Sequence, residues 1–135
     1  SKDEVETLAD FGEKIGVAFQ LADDVIDIAS DSHESGKTPG TDLREGIPTL
    51  VTINALKSTN PKDASLKLAL SGPIKTEKKV EWVLQELRNH PSLNESRLQL
   101  QSIAKEARAA LGPLKISEIS TALYTLCDSI IDRVR

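Results

Sequence analysis

A chain of 135 residues with a formal charge of −4, 39% hydrophobic residues and 3% aromatic ones has the size of one domain and the material for an aliphatic core. Its acidic balance lacks the clustered Lys and Arg of a nucleic-acid footprint, and no apolar run approaches the roughly 18–20 residues of a membrane-spanning helix. A single cysteine, Cys127, excludes an internal disulfide, and the sequence shows no signal peptide, so a cytoplasmic setting is the expectation.

The first predicted element is a helix from Asp3 to about Ala29, with Val5, Leu8, Ile15, Phe19, Ala22 and Ile26 at spacings of three, four and seven as its apolar stripe. Gly12 and Gly16 would weaken it by roughly 1 kcal/mol each relative to Ala, and their four-residue spacing predicts close approach of another helix or of a ligand. Near its end the run GVAFQLADDVIDI puts Asp23, Asp24 and Asp27 on one face, connected to Gly16 and Gln20. Like charges at these spacings repel by a few tenths of a kcal/mol per pair, and negative charge at a helix C-terminus opposes the macrodipole by about 0.3–1 kcal/mol. A divalent cation reverses both signs. Carboxylate oxygens with no His or Cys beside them suit a hard ion, above all Mg²⁺, which takes one or two carboxylates and fills its shell with water and phosphate oxygens. The bare DDxxD spacing is equally compatible with a solvated acidic face.

Ser30 to Gly46 follows as a long loop punctuated by Ser, Gly, Pro and Asp, of the length often used for lids and binding segments. A lysine in such a loop is ordinarily just solvated. Lys37, leaving the same helix end as three aspartates, is nonetheless placed to meet a phosphate as a point charge; His33 has no partner in sequence and stays unassigned. Pro48 suits a first helical turn, so the next helix runs from Thr49 to Lys57 and stops at Asn60-Pro61. A short helix spans Lys62 to Leu70 before Gly72-Pro73, and another spans Thr76 to Asn89, with Val80, Val83, Leu84 and Leu87 inward and His90-Pro91 as terminator. Ser92-x-x-Glu95 reads as a capping box opening a helix from Leu93 to Leu111, whose buried stripe is Leu100, Ile103, Ala104, Ala107 and Leu111. After Gly112-Pro113, Ser117 caps a last helix with Ile119, Leu123, Leu126, Cys127, Ile130 and Ile131 on its core face. Trp82, Tyr124 and Cys127 read as packing residues. With no repeat, low-complexity tract or linker, residues 1–135 read as one all-α helical bundle.

The string Phe19-Gln20, Asp23-Asp24-x-x-Asp27, Gly36-Lys37, Asp42-Leu43 and Gly46-x-x-Thr49-Leu50, in that order, resembles the second aspartate-rich motif and following loop of the trans-polyprenyl diphosphate synthases, the family of farnesyl, geranylgeranyl and longer-chain diphosphate synthases. The resemblance is densest over residues 11–50 and implies the C-terminal half of an isoprenoid-synthase-type fold. It implies that Asp23, Asp24 and Asp27 hold Mg²⁺ bridging an allylic diphosphate, that Lys37 and Asp42 lie at that diphosphate, and that Phe19 and Gln20 line the substrate cavity. The reaction implied is ionisation of the allylic diphosphate, attack by isopentenyl diphosphate on the carbocation, and loss of a proton. Val51 stands where many members of that family have Pro.

The departure from the family is a missing half. The sequence holds no second DDxxD or DDxxxxD and none of the upstream Lys, Arg and His positions that bind isopentenyl diphosphate in that family, and it contains no Met. The expectation is therefore a fragment, inactive alone, that requires an N-terminal half and belongs to a homodimeric enzyme. Its uncovered helix faces are expected to self-associate. The alternative reading is a noncatalytic helical subunit or interaction domain of a prenyl synthase that keeps the acidic helix for assembly.

Overall fold

The computed structural model describes residues 2–30, 39–114 and 118–134. The expectations for His33, Lys37 and the Ser117 cap fall outside these residues. Among the described residues the chain is all-helical: α1 (Lys2–Ala29), α2 (Thr41–Glu45), α3 (Leu50–Leu56), a 3₁₀ turn (Pro61–Asp63), α4 (Ala64–Ala69), α5 (Glu77–Arg88), α6 (Pro91–Ala110) and α7 (Glu118–Arg133). These elements form two compact units. One gathers residues up to 23 with those from 97 on, and the other gathers residues 24–96.

In the first unit, α1 buries Phe11 and Ala18 together with Ala22, the one member of the expected stripe that is fully buried there. Phe11 packs with Ala107, Leu111 and Cys127, and Ile15, Leu114, Leu123 and Tyr124 lean on that cluster. Val5, Leu8 and Phe19 instead face outward. The reason for the shift is steric: Ala18 and Ala22 are fully buried, and small side chains at contact positions leave the bulky neighbours on the flank. Gly12 and Gly16 share the outward side, where an added Cβ meets nothing within 4 Å, so the close approach predicted for them is not found among the described residues. On α7 the buried positions are Ser120, Cys127 and Ile130, whereas Ile119, 72% exposed, and Leu126 lie off the core face expected of them. Burial pushes the Cys127 thiol above its ordinary pKa, which keeps it protonated and suits a packing role. The Arg108 guanidinium stacks 4.6 Å from the Tyr124 ring and its Nε reaches Asp128 at 3.1 Å, tying α6 to α7.

The second unit is built on α5. Val80, Val83, Leu84 and Leu87 are buried, as the sequence predicts, and α3 and α4 pack against that helix. Thr76 caps it by accepting a hydrogen bond from the Lys79 N–H at 3.3 Å. Trp82, half-buried, carries the Lys79 ammonium 4.3 Å from its ring. Two expectations need correcting where the chain enters this unit. The loop reading of residues 41–45 gives way to the helix α2, bracketed by Gly40 (φ 89°) and Gly46 (φ 75°). A Cβ at Gly46 would lie 2.8 Å from the Pro73 nitrogen, so the left-handed turn and the close approach both require glycine. Pro48 is outside α3, because Thr49 is the extended N-cap residue, and its N–H donates to Thr52 Oγ1 at 2.8 Å.

The helix foreseen over 62–70 begins as the 3₁₀ turn, where Asn60 Oδ1 accepts from the Lys62 N–H at 3.0 Å. The capping box at Ser92 is also overturned. Pro91 occupies the first helical position, Ser92 is already helical, and its N–H donates to Nδ1 of His90 at 3.1 Å, so the imidazole is the cap. Because Nδ1 accepts, Nε2 carries the proton and donates to Asp63 Oδ2 at 3.0 Å. Ser58 Oγ donates to the same oxygen. These bonds hold the Asp63 carboxyl below the usual carboxylate range, the Ser58 hydroxyl contributing most and His90 next. A second buried polar tie joins α3 to α6: Asn54 Nδ2 donates to Ser96 Oγ at 2.9 Å, and that hydroxyl donates to the Ser92 carbonyl at 2.7 Å.

Candidate functional site

The three aspartates sit where their helix ends, which is the arrangement elementary electrostatics disfavours. Asp23, in the first unit, is half-exposed, and its Oδ1 lies 3.8 Å from Nη2 of Arg133 near the end of α7. The Arg133 guanidinium also stands 5.8 Å from the ring centroid of Phe19, which projects outward with Gln20 one turn before the aspartate. Asp23, Phe19 and Arg133 therefore form one exposed polar-aromatic corner. An exposed ion pair at this distance contributes at most about 1 kcal/mol, so Arg133 offsets the local negative charge without locking Asp23.

Asp24 and Asp27, in the second unit, are partly buried. Asp27 Oδ2 accepts a hydrogen bond at 3.1 Å from the Gly40 amide, thirteen residues on. The left-handed Gly40 backbone that aims this amide has no room for a side chain, since a Cβ would lie 2.9 Å from Val80 Cγ1. Arg44 braces the same segment from α2. Its Nη1 donates to the Pro39 carbonyl at 2.9 Å, while Nε and Nη2 grip Glu77 at 2.8 and 2.7 Å. The Glu77 hydrogen bond is the main reason the Arg44 guanidinium holds its proton even more firmly than usual, with the Asp27 charge adding to it. Asp42, partly buried, lies in the first turn of α2, two residues past the amide that binds Asp27. Of the residues singled out in the sequence, the structure thus groups Asp23 with Phe19, and links Asp27 to the start of the segment carrying Asp42. Lys37 lies outside the described residues.

Among the described residues no three His, Cys, Asp or Glu side chains close around one point as a ready-made cage. The donors at Asp23, Asp24 and Asp27 are carboxylate oxygens, the type Mg²⁺ takes one or two of before completing its shell with waters and phosphate oxygens. Asp23 carries such donors in the first unit, and Asp24 and Asp27 carry them in the second. Three residues of this region carry no signal in the aspartate spacing: Arg44, Arg133 and Gly40.

The family model described as polyprenyl synthetase matches residues 1–87, well over half of the chain. The chain belongs to the polyprenyl synthetase family. It is 40% identical over 131 residues to the nonaprenyl diphosphate synthase of Mycobacterium tuberculosis, a match that covers 97% of the chain and 39% of that protein. The fold is similar to that of a geranylgeranyl pyrophosphate synthase from Corynebacterium glutamicum, crystallised with calcium and isoprenyl diphosphate, with a TM-score of 0.89 and 34% identity over 99% of the chain and 41% of that one. A further structure of that name and organism, holding isoprenyl diphosphate and magnesium, matches with a TM-score of 0.82 and 25% identity over 98% of the chain and 38% of that one. This member of the polyprenyl synthetase family thus spans about two fifths of the length of these relatives. Among its described residues, no helix is long and apolar enough to cross a membrane.

Proposed function

We propose that this chain is the part of a trans-polyprenyl diphosphate synthase that carries the second aspartate-rich site. The observation that carries the reading is the placement of Asp23, Asp24 and Asp27 on the last two turns of α1, in a chain whose fold matches a synthase crystallised with a divalent cation and isoprenyl diphosphate. In this reading Asp23, Asp24 and Asp27 hold Mg²⁺ against the diphosphate of an allylic substrate. Lys37 and Asp42 stand at that diphosphate, and Phe19 and Gln20 border the prenyl chain one turn earlier. Bound Mg²⁺ supplies neutralisation of the charge that builds on the departing diphosphate.

The residues of the chain do the rest. The Gly40 amide orients the Asp27 carboxylate by occupying Oδ2. The exposed ring of Phe19 presents an apolar face beside the carboxylates, where an allylic chain excludes water from the reacting carbon. Isopentenyl diphosphate attacks that carbon and then loses a proton, giving an allylic diphosphate five carbons longer. The upstream portion of the enzyme supplies the first aspartate-rich motif and the isopentenyl diphosphate site, and the whole works as a cytoplasmic homodimer.

The test is reconstitution. The 135-residue chain alone is expected to show no prenyl transfer, and activity is expected when its native upstream portion is co-expressed. In the reconstituted enzyme, Asp23→Ala is expected to lower turnover by about a hundredfold or more, the scale of losing a group that stabilises developing charge. Turnover by the chain alone would contradict the division of labour, and an active Asp23→Ala enzyme would contradict the site.

A further inference from the structure

α1 ends without the charge a helix C-terminus ordinarily recruits. No basic residue lies in its last turn, while Asp24 and Asp27 add negative charge to the negative end of the macrodipole. Its final carbonyls also need donors from outside the helix. The Ser30 N–H closes onto the Ile26 carbonyl at 2.9 Å. The next carbonyls are taken by a side chain from sixty residues away: Arg88 Nε donates to the Ile28 carbonyl at 3.0 Å, and Arg88 Nη2 donates to the Ser30 carbonyl at 2.9 Å.

We infer that Arg88 is a positioning residue for the carboxylate-bearing end of α1, acting on Asp24 and Asp27 through the backbone carbonyls it binds. The inference rests on the reading of these aspartates as cation ligands. Arg88 is the last residue of α5, whose Val80, Val83, Leu84 and Leu87 are buried, so its fork is carried by a helix anchored in the core of the second unit. The planar guanidinium reaches two carbonyls separated by one residue, which a lysine ammonium on a flexible stem cannot hold in one geometry. The Asp27 carboxylate itself accepts from the Gly40 amide at Oδ2. The last turn is therefore gripped on its backbone by one group and on its carboxylate by another, which lowers the ordering cost that cation binding would carry.

The sign of the effect separates this role from a purely electrostatic one. A nearby cation acting through charge alone weakens divalent-cation binding, so its removal would tighten it. A positioning residue does the reverse, because a frayed last turn lets Asp27 drift. The experiment is a titration of the 135-residue chain with Mn²⁺ in the presence of inorganic pyrophosphate, followed by water-proton relaxation at fixed ionic strength and well below each variant's melting temperature. Arg88→Gln is expected to weaken Mn²⁺ binding about tenfold, and Arg88→Lys, which keeps the charge and serves one carbonyl, about threefold. An Arg88→Gln affinity equal to or tighter than the unsubstituted chain, with helicity retained, overturns the inference. If Arg88→Gln does not fold, the Arg88→Lys affinity decides in the same way. Asp27→Asn serves as the control on the underlying reading: if it leaves Mn²⁺ binding unchanged, or the unsubstituted chain takes up no Mn²⁺, that reading falls and the role of Arg88 falls with it.

Discussion

Asp63 shows how one carboxylate ties a turn, a loop and a helix start together. It accepts from Ser58 and from His90, and His90 in turn caps α6 through Nδ1. Its carboxyl is held below the ordinary range, so the folded state binds that proton less readily than the unfolded chain does. The stability this contributes is fully present above the ordinary carboxylate pKa of about 3.9 and is lost as pH falls through it toward the lower folded value. Asp63→Asn is therefore expected to flatten the acid limb of stability. Urea midpoints measured between about pH 6 and pH 3 should fall less in the variant than in the unsubstituted chain. Equal slopes would mean that the carboxylate is not coupled to folding. The residues that supply this network are also the hardest to foresee. His90 and Pro91 read naturally as a helix stop, and they are one, yet the same pair starts α6, with the imidazole in the role that serine or aspartate usually plays.

Elements are legible where their packing follows helical period alone. α5 has its four core residues where the 3.6-residue repeat puts them, and its Thr76 cap is an ordinary signal. Leu87 is fully buried, and Leu87→Ala is expected to cost about 2–5 kcal/mol through lost burial and the cavity left behind, read as a lowered urea midpoint with an unchanged slope. A loss under about 1 kcal/mol would mean that α5 does not organise this unit. The buried face of α1 departs from expectation for a reason of the same kind. Periodicity puts Val5, Leu8 and Phe19 on the stripe with Ala22, whereas the contact is made through Phe11, Ala18 and Ala22, of which Ala22 alone belongs to the predicted stripe. Size, which sets how closely neighbours approach, overrides hydrophobicity. α2 escapes detection because five residues between two glycines carry too little pattern, and what holds it, the Arg44 fork on Glu77, spans thirty-three residues.

At the scale of the whole molecule, the all-α class and the family follow from the sequence, since helical spacing and the ordered aspartate, lysine and glycine string are local features. The supports of the candidate site are not local. Arg88, Arg133 and the Gly40 amide reach α1 from 60, 110 and 13 residues beyond their partners, distances at which no sequence spacing carries a signal. The chain spans about two fifths of the length of these relatives, and Val5, Leu8 and Phe19 on α1 are exposed. The central claim is narrower than that assembly and is open to one direct measurement. Calorimetric titration of the 135-residue chain with Mg²⁺ and inorganic pyrophosphate together is expected to show binding that neither component gives alone, abolished in the Asp23→Ala/Asp27→Ala double variant while helicity is retained. Heat of binding that survives the double substitution would contradict the assignment of the aspartates as the cation and diphosphate site.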